Sequence, residues 1–337
     1  MSVKSMNKQK HYNIPVFITH SGCKNNCVFC NQKIITGRPG IPGEQEIRAT
    51  IEKYIDIIYN SAENNKTEAE IAFFGGSFTG LEIKFMTELL VIANGYINKH
   101  KIITGIRIST RPDYISREIT DILSGYNVKS IELGVQSMFD DVLKACKRGH
   151  TAEDTIKACG IIKSAGLNLT GQIMLGLPGS SRVKDIETAA RLVELGIDSA
   201  RIYPTAVLPG TELYDIYKRG EYAPLELGEA VFRAKEIKKI FDSHNITTLR
   251  IGLCSSDIKN SDIIAGAYHP AFGELVESEI IYDALVEKIE NNINKNIIIY
   301  ADKKDMSKYI GHRKKNIERL KNRFPDKIIE IKESAEN

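Results

Sequence analysis

No stretch of this 337-residue sequence stays apolar for the roughly 18 residues that would carry a helix across a bilayer. The basic N-terminus, MSVKSMNKQKHYN, has no apolar segment behind it and does not read as a secretory leader. There is no low-complexity run, and with ten prolines an extended disordered region is not expected. Charge bias is nearly absent too: 46 Lys/Arg against 43 Asp/Glu leave +3, too little to define a partner. These absences leave a chain that we place in the cytoplasm, with no membrane partner and with one large domain, alone or with a smaller one. Cysteine is scarce, at six residues, but unevenly spread. HSGCKNNCVFCNQ (20–32) holds Cys23, Cys27 and Cys30, and no second CxxC pair exists. In a reducing compartment such a cluster points to metal binding or chemistry rather than to disulfides.

Apolar, β-branched runs alternate with helical patterns along the first 205 residues. Strands are expected at 16–19, 70–74, 103–109, 128–135, 167–175 and 198–204. Helices are expected at 44–62, 83–97, 117–126, 151–166 and 181–196. This βα rhythm predicts an α/β fold with a parallel sheet and helices outside it, joined by right-handed crossovers. Six units are too few for an eight-unit barrel, so a partial (β/α)6-type barrel is expected. The pattern changes after residue 245. Residues 10–245 read as a core domain and 246–337 as an extension. Within the extension, 291–333 read as strand, helix, tight turn, helix, strand.

Cys23, Cys27 and Cys30 are spaced C-x3-C-x2-C, directly after the first strand. Three thiolates on a short loop can hold three irons of a 4Fe–4S cluster and leave the fourth iron open. The alternative is structural zinc, with His20 as the fourth ligand. Other candidates also have plain structural readings. Gly75 and Gly76 suit a tight turn, and Ser109 suits a turn cap. Arg111 is either a surface residue or a fork donor for a carboxylate. Gln136, on an apolar strand, needs partners if buried. Cys146 and Cys159 lie on helical patterns and read as structural.

The loop, with Phe29 before its last cysteine, resembles the signature of the radical S-adenosylmethionine superfamily. Further blocks follow in the order that family shows: FFGGSFTG (73–80), ISTRPDYI (108–115), ELGVQS (132–137), GQIMLGLPG (171–179) and ARIYPTAVLPGTELY (200–214). Several of these, with YHPAFGELVES (268–278), are most similar to the radical core of the Elongator catalytic subunit and its bacterial relatives. The resemblance implies a 4Fe–4S cluster on Cys23, Cys27 and Cys30. It implies S-adenosylmethionine held by Phe29, Gly75, Gly76, Ser77, Ser109, Arg111, Gln136 and Tyr203. It also implies radical hydrogen abstraction from a substrate, an RNA base first, and an external electron donor of flavodoxin or ferredoxin type, with a partner protein as a further expectation. The chain is too short to include the Elongator subunit's acetyltransferase domain, and the resemblance to that half is not carried over. Because the coproporphyrinogen oxidase branch shares related motifs, a porphyrinogen is the alternative substrate. A non-catalytic zinc-containing RNA-binding protein is the alternative from another class.

Cys254, in RIGLCSSD (250–257), is either a small buried thiol or a substrate-facing catalytic one. MSKYIGHRKKNIERLKN (306–322) resembles a KH RNA-binding core, whose G-x-x-G loop clamps phosphates. Here the loop is Gly311-His312-Arg313-Lys314, with lysine in place of the second glycine. Residues 301–325 carry nine Lys/Arg and three Asp/Glu, a local excess of six against +3 for the whole chain. That concentration suits a polyanion and makes Lys308, Gly311, Arg313, Lys314 and Lys315 the RNA-binding candidates. A solvated helix face is the alternative.

Overall fold

The computed structural model describes residues 10–19, 21–31, 34, 40–61, 67–253 and 262–334. Its centre is a seven-stranded, wholly parallel sheet in the order β1-β2-β3-β4-β5-β6-β8. The strands are β1 (Lys10–Phe17), β2 (Thr67–Phe74), β3 (Ile103–Thr110), β4 (Val128–Gln136), β5 (Asn168–Leu175), β6 (Ser199–Pro204) and β8 (Thr247–Ile251). The crossover helices are α1 (Glu44–Ser61), α2 (Ile83–Lys99), α3 (Arg117–Gly125), α4 (Asp140–Ala145), α5 (Ala152–Ser164), α6 (Arg182–Glu194), α7 (Glu212–Lys218) and α8 (Leu227–Ser243). Polar residues start several of them. Thr151 and Asp154 form a capping box at α5, and the hydroxyls of Ser116, Ser181 and Thr211 accept the first free amides of α3, α6 and α7.

The first strand begins six residues earlier than the apolar run VFIT suggests. Its polar half, from Lys10 to Asn13, pairs residue by residue with Thr67–Glu70 of β2. The sheet also continues past the expected core boundary at 245, because TTLRI (247–251) adds a seventh parallel strand beside β6.

Alternate residues of each strand face opposite ways. One set, including Ile71, Phe73, Ile106, Ile108, Ile131, Leu133, Ile173 and Ile202, is buried in the main core that also takes in helix residues such as Leu89, Ile162 and Leu192. The other set is polar and meets across non-adjacent strands. Ser130 of β4 donates to Glu70 of β2 at 2.9 Å, and Arg201 of β6 reaches Glu132 of β4 at 2.7 Å. Such contacts require a curved sheet with these side chains on its concave face. The result is a half-barrel, as the count of βα units predicts.

A short antiparallel pair, β7 (Ala206–Val207) with β9 (Ala265–Gly266), precedes the long α9 (Phe272–Glu290). Phe272 and Val276 of α9 pack into the main core. Tyr282, Leu285 and Ile289, further along, join a second cluster with Ile297, Ile299 and Leu320. That cluster underlies β10 (Asn296–Ala301), α10 (Met306–Ile310), α11 (Lys315–Arg323) and β11 (Ile328–Glu333), with β10 parallel to β11. The strand–helix–turn–helix–strand order is the one read from sequence. α9 completes the small module's core, since two strands cannot bury an apolar face alone. Among the described residues, no helix is long and apolar enough to cross a membrane.

Candidate functional site

The C-terminal ends of the parallel strands gather the sequence-predicted residues at one rim of the half-barrel. The cysteine loop follows β1 and is fastened from three sides. Ser77 of the loop after β2 donates its amide to the Ser21 carbonyl at 2.8 Å. The Val28 amide donates to the Cys146 carbonyl at 3.1 Å, and the Leu213 amide donates to the Val28 carbonyl at 2.7 Å. The Lys24 amide meets the Tyr114 hydroxyl at 3.1 Å.

Gly75 and Gly76 do different jobs. Gly75 has φ +87°, the turn that sequence suggests. At Gly76 the reason is contact: a β-carbon there would lie 2.5 Å from the Ser21 carbonyl oxygen and 2.6 Å from that of Ile18. The glycine pair therefore presses the loop after β2 onto the cysteine loop. Ser77 contributes its hydroxyl, 3.2 Å from Cys23 Sγ. Ser109 ties the same turn to β3 by donating to the Phe73 and Gly76 carbonyls at 3.3 and 3.4 Å.

Cys27 is buried, and Cys23 and Cys30 are half-buried. Arg148 Nη1 donates to Cys27 Sγ at 3.1 Å, and its Nη2 donates to the Gly134 carbonyl at 2.6 Å. Arg111, almost fully buried, is held by Asp113 at 2.9 and 3.0 Å. Burial disfavours its charge, but Asp113, with smaller help from Cys27 and Tyr114, keeps its pKa above the usual range. Gln136 is buried at φ +67°, at a register shift between β4 and β5. His150 is also buried. Burial first, and then the charges on Arg148 and Arg111, push its pKa down to about 3, so the ring is neutral at physiological pH.

Four of these side chains leave buried polar atoms without a hydrogen-bond partner among the described residues: Arg111 Nη1, Arg148 Nε, Gln136 Oε1 and both His150 ring nitrogens. Leaving such groups unmet costs about 1–3 kcal/mol each. Gathered in one place, they mark a site shaped for a polar ligand. Arg148 and His150 were not singled out from sequence, although the charged KRGH (147–150) just before a helix cap was a visible signal.

Phe29 lies partly buried against the small cluster of Val28, Cys146, Val142 and Leu213. Tyr203 is half-buried on β6, its hydroxyl beside the Arg201 guanidinium, and burial raises its pKa. Cys146 and Cys159 are buried, with pKa values pushed up to about 12, mainly by burial. These are inert structural thiols. Cys254 and His20 lie outside the described residues.

The RNA-binding candidates lie apart from this rim, in the C-terminal module. Lys308 pairs with Glu277 and, at 3.0 Å, with Asp305. Lys315 is 3.4 Å from Glu279. His312, Arg313 and Lys314 are exposed. Arg313 and Lys314 have φ +53° and +62°, so the lysine adopts the left-handed conformation that the missing second glycine would supply. Gly311, at φ +77°, has no room for a β-carbon beside Asn316, whose buried amide holds the Lys308 carbonyl at 3.2 Å. The His312 ring meets His269 edge-on, 5.4 Å between centroids.

Among the described residues, no three His, Cys, Asp or Glu side chains converge as they would around a single ion. Ligands of a 4Fe–4S cluster each sit on their own iron and do not converge on one point. The unmet N–H groups of Arg111 and Arg148 suit an amino-acid carboxylate, and Gln136 Oε1 suits a donor. The residues present therefore fit the cofactor pair that the sequence implies.

Residues 17–193 match the Radical SAM superfamily and residues 197–282 match the Radical_SAM C-terminal domain. The chain is 33% identical over 227 residues to a tRNA uridine(34) acetyltransferase of Methanocaldococcus infernus, covering 61% of this chain and 42% of that one. It is 34% identical over 241 residues to an uncharacterised protein of Methanocaldococcus jannaschii, covering 66% of this chain and 70% of that protein. A solved structure of the archaeal Methanocaldococcus infernus Elp3, lacking N-terminal residues, superposes with a TM-score of 0.64 at 28% identity, over 83% of this chain and 63% of that one. The chain thus spans about two-fifths of the acetyltransferases it matches.

Proposed function

Because this chain belongs to the Radical SAM superfamily, whose members use a 4Fe–4S cluster and S-adenosylmethionine, we propose that it is a radical enzyme modifying a base of structured RNA. Membership sets aside the reading of the cysteine loop as zinc in a non-catalytic protein. The observation that carries the proposal is the half-barrel rim, where Arg148 meets Cys27 of the cysteine loop and the buried Arg111 and Arg148 keep N–H groups without a partner among the described residues. When bound, the cofactor pair supplies a carbon-centred radical that takes a hydrogen atom from the substrate.

This chain's own residues do the rest. Cys23, Cys27 and Cys30 hold the cluster, and Arg148 orients Cys27 through its N–H···S contact. Arg111 and Arg148 take the cofactor's carboxylate, and Gln136 and the Gly75–Ser77 turn take its hydroxyl and amino groups. Phe29 and Tyr203 complete the apolar and polar walls. His150, neutral and buried, adds a hydrogen-bonding group without a charge. RNA is the substrate class because relatives are named for tRNA uridine modification and because the 311–314 loop presents two exposed cations beside a helix start. Gly311, Arg313 and Lys314 contact phosphates, with Lys315 and Lys308 behind them. An external one-electron donor completes the system.

Anaerobic reconstitution tests the reading. The wild type is expected to bind iron and sulfide and to release 5′-deoxyadenosine from S-adenosylmethionine with dithionite, and Cys27→Ala to do neither. Zinc uptake without cluster formation would overturn the enzyme assignment. The RNA half is tested separately, by binding of a labelled tRNA stem–loop to wild type and to the double substitution Arg313→Gln, Lys314→Gln.

A further inference from the structure

The small sheet of the C-terminal module stops before its apolar face is covered. α9 backs that core from one side, but β11 has one strand neighbour, β10, among the described residues. On β10 the residues turned to the helices, Ile297 and Ile299, are 4% and 2% exposed. Their counterparts on β11, Ile329 and Ile331, pack on the same cluster yet are only partly buried. The core is therefore open at the β11 edge, and two strands alone make a marginal sheet. The opposite face carries exposed Ile298, Tyr300 and Ile328.

Backbone geometry fixes which groups that edge offers. The Ile328 amide donates to the Lys295 carbonyl at 2.8 Å, and the Ser334 amide to the Ala301 carbonyl at 2.9 Å. Successive residues of a strand turn their N–H and C=O groups to opposite sides. The even-numbered residues of β11 thus bond to the β10 side, and Ile329, Ile331 and Glu333 direct theirs outward, as a template for another strand. Charges usually guard such an edge, and Glu330 and Lys332 stand here, half-exposed and 2.7 Å apart. Their order is self-complementary. In an antiparallel pair about a two-fold axis at Ile331, Ile331 meets its own mate, Ile329 meets Glu333, and Glu330 lies opposite Lys332. The outward backbone groups then all face the partner strand. The two Glu330–Lys332 pairs fall at positions without direct backbone bonds, where side chains approach most closely. An axis at Glu330 or at Lys332 would set that charge against itself.

We propose that the chain forms a homodimer through β11, joining the two small sheets into one of four strands in the order β10-β11-β11-β10 and covering Ile329 and Ile331. The occupant is a second copy because a second copy supplies the reversed charge order at the required spacing. The contact is isologous, each charge pair occurring twice. It does not depend on the RNA reading.

Sedimentation equilibrium of the full, cluster-loaded chain, from micromolar to submillimolar concentration, tests this. The mass is expected to rise from that of one chain to that of two. Glu330→Lys and Lys332→Glu each bring like charges together twice, and each is expected to weaken the dimer about ten-fold or more. Denaturation midpoints should stay near wild type, since both side chains are half-exposed. Mixing the two variants sets lysine against glutamate at both positions, so a heterodimer should form with about wild-type affinity. Carrying both substitutions in one chain should restore the homodimer.

A wild type that stays monomeric throughout overturns the proposal. A dimer that both single variants leave intact also overturns it, because the contact then lies elsewhere. If the single variants are monomeric but neither the mixture nor the double substitution recovers a dimer, the pairing at Ile331 is overturned.

Discussion

At Gly76 a missing side chain matters more than most side chains present. The atoms that a β-carbon would strike are the carbonyl oxygens of Ser21 and Ile18, which are backbone and cannot swing aside. Gly76→Ala is therefore expected to cost about 1–3 kcal/mol in denaturant-measured stability, the usual range for overpacking. It should also lower the iron and sulfide bound on reconstitution, because the displaced partner is the cysteine loop itself. Normal cluster loading in the alanine variant would show that the loop tolerates the shift. Arg148 belongs to the same scale. Arg148→Gln keeps a polar side chain but removes the charge beside Cys27. A charge-assisted hydrogen bond contributes about 1.5–3 kcal/mol, so affinity for S-adenosylmethionine should fall by roughly ten-fold or more in equilibrium binding to the cluster-loaded protein. An unchanged dissociation constant would remove Arg148 from the carboxylate site.

At the scale of elements, the half-barrel encloses charge rather than oil. Glu70 shows what this means for stability. Burial alone would raise its pKa, but His11, Arg107 and Ser130 outweigh burial and hold it at about 2, against an ordinary 4.5. The unfolded chain therefore binds this proton more readily than the folded one. The carboxylate's contribution is complete above pH 4.5 and is lost as pH falls from there towards 2. Its full size is about 3 kcal/mol. Denaturation at stepped pH should show that loss in the wild type, and Glu70→Gln should be less stable at pH 7 but flatter across the acid window. The expected elements match the observed ones because each outward strand face and each helix stripe carries its own apolar period. The concave network did not emerge that way. Its pairs join residues as far apart as Glu132 and Arg201, and no local pattern records which strands curve to face one another. The single charged residue inside each of the otherwise uncharged strand segments GIRIST, SIELGVQ and SARIYP was the trace available. The cysteine, Gly-Gly and glutamine positions of the site were legible, since each ends a strand. Arg148 and His150 follow a short helix, α4, that the periodicity did not single out.

For the whole molecule, the distribution of charge decides how the two ends work together. The local excess of six between residues 301 and 325 is not all available to a ligand. Lys308 is engaged by Glu277 and Asp305, Arg319 by Glu279 at 2.7 Å, and Arg323 by Glu290 at 2.7 Å, so α9 absorbs much of the patch. Among the cations left exposed and outside these pairs, Arg313 and Lys314 share one turn. Binding to RNA through phosphates releases counterions, so the logarithm of affinity falls with the logarithm of salt by roughly 0.7–0.9 per phosphate neutralised. Arg313→Gln and Lys314→Gln are each expected to lower that slope by about that amount, weakening all RNA sequences alike. Lys308→Gln should lower it much less, because its ammonium already has carboxylate partners. A titration of stem–loop RNA binding across salt, on these three variants and the wild type, measures the slopes directly. Equal slopes in all four would mean that RNA does not reach this turn, and the substrate would then have to be held by the half-barrel rim alone.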